Sequence, residues 1–165
     1  MNITWELLAE RLRNEVQDYG ALLHLFEEQQ TCVFERDAER LLQLVEAIKD
    51  ATETAEATRH EREQCVSAFA IECSQAPNAT LRALLPHLEP QVRPLIEALI
   101  AEVNRLIHRV RHIARQNHLL LSRTIELQQG VIRQICPGAF TETYSARGRV
   151  AMVGNAPAAA YNAAG

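Results

Sequence analysis

The N-terminal segment repeats apolar positions with a period of seven residues. One row of the repeat contains Trp5, Leu12, Tyr19, Phe26 and Val33, and the second contains Ala9, Val16, Leu23 and Gln30. Alternating steps of four and three residues are typical of helices that pack side by side. Thr4 stands where an N-terminal helix cap is expected. The pattern therefore predicts a first helix over residues 4–34.

A second helix is predicted over residues 38–73, with Asp37 as its N-terminal cap. Its apolar positions are interrupted in the middle by residues 49–64, which read KDATETAEATRHEREQ. A helix that is polar on every face is normally exposed or lacks a partner helix. We therefore expect this middle segment to be weakly held. The apolar positions on either side of it are Leu41, Val45 and Ile48, and then Val66 and Phe69.

A connector rich in proline separates the second helix from a third long one. Proline is disfavoured inside helices but tolerated in their first turn, so Pro94 suits a helix start. The connector has room for one short helix, over residues 80–85, and the third long helix is predicted over residues 94–135. The stripe of that helix continues from Ile96 to Ile135 in steps of three or four and contains one amide, Asn117.

The last segment, residues 137–165, has small residues, glycine and proline without a helical period. Such a segment buries too little apolar surface to fold alone. The predicted fold class is therefore all-α, an elongated antiparallel helical bundle or coiled coil of three long helices with an irregular C-terminal tail and no functional sheet. We expect a helical domain over residues 1–136 and a flexible tail over residues 137–165.

Composition narrows the possible functions of the chain. The formal net charge is −4, which argues against a general nucleic-acid binder. No apolar run approaches the roughly 20 residues of a membrane span, and the acidic N-terminus does not resemble a signal peptide. The four cysteines form no CxxC pair, and the sequence contains neither a phosphate-binding loop nor a nucleophile elbow. We therefore expect no enzyme activity, no cofactor and no metal.

Two clusters on the third helix invite other interpretations. His108 and His112 have the four-residue spacing of metal ligands, but no HExxH pattern accompanies them. We interpret them as part of a solvated face, with a metal-bearing bundle as the alternative. The arginines of RLIHRVRHIAR resemble a nucleic-acid patch but lack interleaved aromatic residues. We expect Arg105, Arg109, Arg111 and Arg115 to balance acidic residues on neighbouring helices, such as Glu27, Glu28, Glu35, Glu39 and Glu46.

The weak middle of the second helix predicts uncovered apolar surface on the third. Exposed apolar patches usually mark partner sites, and a helix laid into such a groove is a common mode of recognition. A second copy of the chain would cover the same stripe.

Short motifs near the C-terminus resemble the flagellar export chaperone family called FlgN. The third helix carries an Asn-x-x-Leu-Leu segment at Asn117, Leu120 and Leu121, and a Tyr-x-x-x-Gly motif follows at Tyr144 and Gly148. Heptads and alternating acidic and basic residues extend the resemblance over most of residues 4–150. The resemblance implies a cytoplasmic chaperone of type III export that binds the C-terminal helical segments of hook–filament junction proteins and delivers them to the export gate.

The resemblance also implies roles for individual residues. The client site is expected at Asn117, Leu120, Leu121, Leu127 and Val131, and docking on the cytoplasmic domain of the export gate at Tyr144, Arg147 and Gly148. Asn117 could instead fix the register of the third helix against the first, because an amide in an apolar seam must find a hydrogen-bonding partner. The alternative to the chaperone is a homodimeric structural coiled-coil module without a client.

Overall fold

A computed structural model of the chain describes residues 4–135 and the backbone of residues 140–144 and 150–154. The helices in this part are α1 (Trp5–Glu35), α2 (Ala38–Glu72), the short α3 (Leu81–Leu84) and α4 (Arg93–Ile135), with a 3₁₀ turn at Leu85–His87. The all-α class with three long helices is confirmed, and the helix bounds agree closely with the predicted ones. The chain divides into two compact units, Met1–His118 and Leu119–Gly165. This division falls within α4, before the boundary after residue 136 that the sequence predicts.

Local capping explains where α1 ends and α2 begins. The Thr4 hydroxyl accepts a hydrogen bond from the first turn of α1, as predicted. Arg36 adopts a left-handed conformation with φ of 59°, which ends α1, and the Asp37 carboxylate accepts from the Arg40 amide at 2.9 Å. Because the chain reverses within two residues, α1 and α2 form an antiparallel hairpin. Ion pairs at its two ends, Arg11–Glu61 and Glu28–Arg40, agree with that direction.

The polar middle of α2 is held firmly against α1, contrary to our expectation. Thr58 donates to the Asp18 carboxylate at 2.6 Å, and Arg62 donates to the Glu15 carboxylate at 2.8 Å. Ala55 is buried, and its small side chain lets the two backbones approach each other. The expectation was wrong because it counted only apolar partners, whereas this interface pairs polar side chains of α2 with charged side chains of α1.

The apolar core of the first unit is largest at the end where the proline-rich connector packs. That cluster joins the start of α1 and the end of α2 to the connector and to the start of α4. Its buried members include Leu8, Leu12, Val66, Phe69, Leu81, Leu84, Leu88 and Ile96. A smaller cluster follows farther along, with Leu22 and Leu23 of α1 against Leu106 and Val110 of α4. Since residue numbers increase together along both helices, α4 runs in the same direction as α1.

Two segments of the tail form strands, which corrects the prediction of an irregular C-terminal tail. β1 (Phe140–Tyr144) pairs antiparallel with β2 (Val150–Gly154), and the register aligns Phe140 with Gly154 and Tyr144 with Val150. β1 contains two threonines and two aromatic residues, and β2 contains two valines; these residue types favour strands. Our expectation gave more weight to the small residues around them. The hairpin belongs to the second unit and adds a two-stranded element to a helical fold.

Candidate functional site

Asn117 is the last buried residue of α4, and its amide is bonded to α1. Its side chain is 1% exposed, and its Nδ2 donates to the main-chain oxygen of Phe26 at 2.7 Å and to Gln29 Oε1 at 3.0 Å. Gln29 is itself buried. A polar pair inside an apolar seam fixes the axial register of two helices, because any shift leaves both amides without partners. This is the arrangement that the register interpretation of Asn117 requires.

Beyond Asn117 the apolar face of α4 continues, but its residues are no longer buried. Val103, Leu106, Val110 and Asn117 are buried, and they lie on one face of the helix because they follow one another in steps of three, four and seven. The same face continues through Leu120, Thr124, Val131 and Ile135. Between His118 and Ile135, where every side chain is described, none is buried. A face that is core in the first unit is therefore solvent-accessible in the second.

The exposed apolar surface is broad as well as long. We define the α4 apolar face as the apolar residues Leu120, Leu121, Ile125, Leu127, Val131, Ile132 and Ile135. At about 100° per residue these positions cover roughly 160° of the helix circumference. A single coiled-coil seam is narrower than a core-facing stripe of this width. Leu127 and Ile135 are about three-quarters exposed. Contiguous exposed apolar patches on proteins usually mark interaction sites.

A buried ion pair stands apart from the apolar face, in the first unit. Glu15 is fully buried, one carboxylate oxygen pairs with Arg62, and the other has no hydrogen-bond partner. Burial raises the pKa of the Glu15 carboxyl, and the nearby Arg62 guanidinium only partly opposes this effect. The pair contributes to a concave site of about 410 Å³ between the helices and the connector. Sequence reasoning missed Glu15 because its heptad position looks solvated.

The basic segment of α4 is largely exposed to solvent. Arg109 donates to the Glu27 carboxylate at 3.0 Å, the one pair with the five expected acidic residues that the structure gives in the described region. His108 and His112 line a surface concavity of about 410 Å³ together with Arg109, Ile113 and Arg115. Within the described residues, no group of three or more His, Cys, Asp or Glu side chains is arranged to hold a metal ion.

A comparison with models of protein families identifies the family of the chain. The family model described as FlgN protein matches residues 1–151 of the chain. The chain belongs to the FlgN family. A search of curated proteins and a search of solved structures returned no match. Proteins of the FlgN family are flagellar export chaperones, so the resemblance seen in the Asn-x-x-Leu-Leu and Tyr-x-x-x-Gly motifs is confirmed at the level of the family.

The predicted site residues of this FlgN family member occupy different environments. Leu127 and Val131 are exposed on α4, while Leu120 and Leu121 are half-buried. Asn117 is enclosed against α1. Tyr144 is the last residue of β1, and Arg147 and Gly148 lie outside the described residues.

Three exposed apolar residues near the predicted site were not singled out from the sequence: Leu119, Ile125 and Ile132. A signal for them existed, because apolar residues after position 118 occur outside the single stripe that the preceding turns maintain. Among residues 4–135, no helix has the length and apolar character that crossing a membrane requires.

Proposed function

We propose that this FlgN family member is a cytoplasmic chaperone of type III export whose α4 apolar face binds the C-terminal helical segments of hook–filament junction proteins. The observation that carries the proposal is the exposure of a helical face that is continuous with the buried seam of the same helix. Asn117 marks the point of change, because its bonds to α1 fix the last enclosed turn. In this account Asn117 sets internal register and Leu120 begins the client surface.

The physical logic is the covering of one apolar helix by another. Client segments that form coiled coils only after assembly are apolar beforehand and prone to associate with each other. An amphipathic client helix laid on the α4 apolar face would bury apolar surface on both partners. Leu127 is 72% exposed, so its burial contributes about 1–2 kcal/mol, or roughly five- to thirtyfold in affinity.

The test compares two leucines that are equally exposed. Leu127 on α4 and Leu42 on α2 are 72% and 73% exposed, so aspartate at either position should change the melting temperature little. We expect Leu127→Asp to weaken binding of a junction-protein C-terminal segment by about tenfold or more, measured by calorimetry, because it removes apolar contact and buries a charge. Leu42→Asp should bind the segment like the unmodified chain.

Two outcomes of that comparison would reject the client surface. Equal losses in both variants would indicate a general effect of added negative charge. A collapse of the melting temperature in Leu127→Asp alone would place this leucine in the core of the free protein. The homodimeric alternative rests on the same exposed face, and it predicts dimers in analytical ultracentrifugation that dissociate in Leu127→Asp, together with no binding of the client segment.

We further propose that the segment around Tyr144, Arg147 and Gly148 docks on the cytoplasmic domain of the export gate. Support comes from the family motif and from the chemistry of its residues: a tyrosine is a good interface anchor, and arginines steer a segment toward acidic surfaces. Tyr144→Ala should lower the affinity for the gate domain and leave the affinity for the client segment unchanged. Calorimetry with each partner separates the two sites, and a loss confined to the client would move Tyr144 to the client surface.

A further inference from the structure

The solvent side of α4 in the first unit carries a concentration of positive charge. Residues 103–118 of this helix contain four arginines and three histidines and no aspartate or glutamate. The formal net charge of the whole chain is −4, so this helix is strongly polarised against the rest of the molecule. We define the α4 basic face as the exposed residues His108, Arg111, His112 and Arg115; Arg105, on the preceding turn, is paired with Glu102 of the same helix.

The α4 basic face is more than a row of solvated side chains. His108, His112 and Arg115 line a concavity of about 410 Å³ with Arg109, and Ile113 supplies an apolar wall. Two of the arginine side chains that line the concavity have hydrogen-bond partners. Arg109 donates to the Glu27 carboxylate, and Arg115 Nε donates to the main-chain oxygen of Arg111 at 3.1 Å. Side chains held in this way lose less conformational freedom when a ligand binds.

We propose that the α4 basic face binds an acidic helical segment of a partner protein. Charge complementarity selects the sign of the partner. A short helix also matches the geometry, because glutamates spaced three and four residues apart on one helix present a single charged face to the arginines. Its apolar residues would contact Ile113, which lines the concavity. The surface shares no residue with the α4 apolar face, so the proposal does not depend on the client site.

The same features disfavour nucleic acid as the occupant. α4 contains no aromatic residue on which bases could stack. α2 carries exposed acidic residues whose negative charge would repel a long polyanion extending beyond the α4 basic face; they are Glu39, Glu46, Asp50, Glu53 and Glu56. An acidic peptide of limited length therefore fits this molecule better than a strand of DNA or RNA.

The experiment uses the full chain and a terminally blocked helical peptide of about four turns. One version of the peptide carries its glutamates on one face, and a scrambled version distributes them around the helix. The third probe is an oligothymidylate of the same charge. We expect the one-faced peptide to bind most tightly at about 20 mM salt and to be released at about 300 mM, where exposed charges are screened.

Charge-reversal variants locate the binding surface. Arg111→Glu with Arg115→Glu should lower the affinity for the one-faced peptide by about tenfold, and the matching glutamine pair by less. Arg13→Glu with Lys49→Glu changes the net charge equally at exposed positions on α1 and α2, and should leave the affinity within about twofold. The glutamine pair keeps the test valid if the double reversal unfolds the helix.

Any of four results would overturn the proposal. These are no binding of the one-faced peptide at low salt, equal losses in the variant and its control, oligothymidylate binding as tightly as the peptide, and salt-sensitive self-association of the chain with no peptide binding. The third result would assign the surface to nucleic acid, and the fourth would assign it to a second copy of the chain.

Discussion

Replacing Asn117 with alanine should destabilise the contact between α1 and α4. The substitution removes hydrogen bonds to Phe26 and Gln29, each contributing about 1 kcal/mol, and it leaves the buried Gln29 without its donor at a further cost of about 1–3 kcal/mol. Removal of the Asn117 Oδ1 atom, which has no partner, offsets about 1 kcal/mol of this loss. The expected net loss is about 2–4 kcal/mol, which corresponds to a decrease of roughly 4–16 °C in melting temperature for a chain of this size.

The assay is urea unfolding followed by circular dichroism, with the linear slope checked for two-state behaviour. Asn104→Ala serves as the control, since Asn104 is an exposed asparagine on the same helix and should change stability by less than about 0.5 kcal/mol. The double variant Asn117→Leu with Gln29→Leu should recover much of the stability, because an apolar pair replaces a polar one. If Asn117→Ala costs no more than Asn104→Ala, the amide does not hold the two helices in register.

Two further predictions concern helix propensity and pH. Gly130→Ala should slow amide exchange in the last turns of α4 and raise helix stability by about 0.5–1 kcal/mol, because alanine favours the helix more than glycine does. A β-carbon at this position meets no other atom within 4 Å. Unchanged exchange would show that Gly130 does not limit the stability of the helix. Burial raises the pKa of Glu15 in the folded state, so its contribution to stability is complete below the unfolded pKa of about 4.3 and is lost as pH rises through the folded value. Urea midpoints measured across this range should therefore fall less steeply with pH in Glu15→Gln than in the unmodified chain, and parallel curves would contradict the raised pKa.

The long helices could be predicted closely because local signals determine them. Heptad spacing identifies α1, the Asp37 cap and the proline-rich connector delimit α2, and Pro94 lies in the first turn of α4. The contacts that attach the middle of α2 to α1 could not be predicted, because they depend on which polar side chains of α1 lie opposite Thr58 and Arg62. Such pairs become visible only when the axial offset of the two helices is known.

For the candidate site as well, the local sequence predicted some features, and others depend on the tertiary fold. A single amide in the α4 stripe indicated a register device, but its acceptors on α1 depend on the tertiary fold. The stripe also indicated that Leu127 and Val131 share a face, whereas their exposure depends on what lies opposite them. The β-hairpin was missed because two-stranded pairing is weakly specified by local sequence.

Amide hydrogen exchange with and without a junction-protein C-terminal segment tests the central claim most directly. Residues 119–135 form a helix without a buried side chain, so their amides should exchange fast in the free chaperone. The account predicts that the client segment slows exchange throughout residues 119–135 and leaves the α1–α2 hairpin unchanged. Slower exchange confined to the hairpin, or no change at residues 119–135 when the segment is bound, would contradict it.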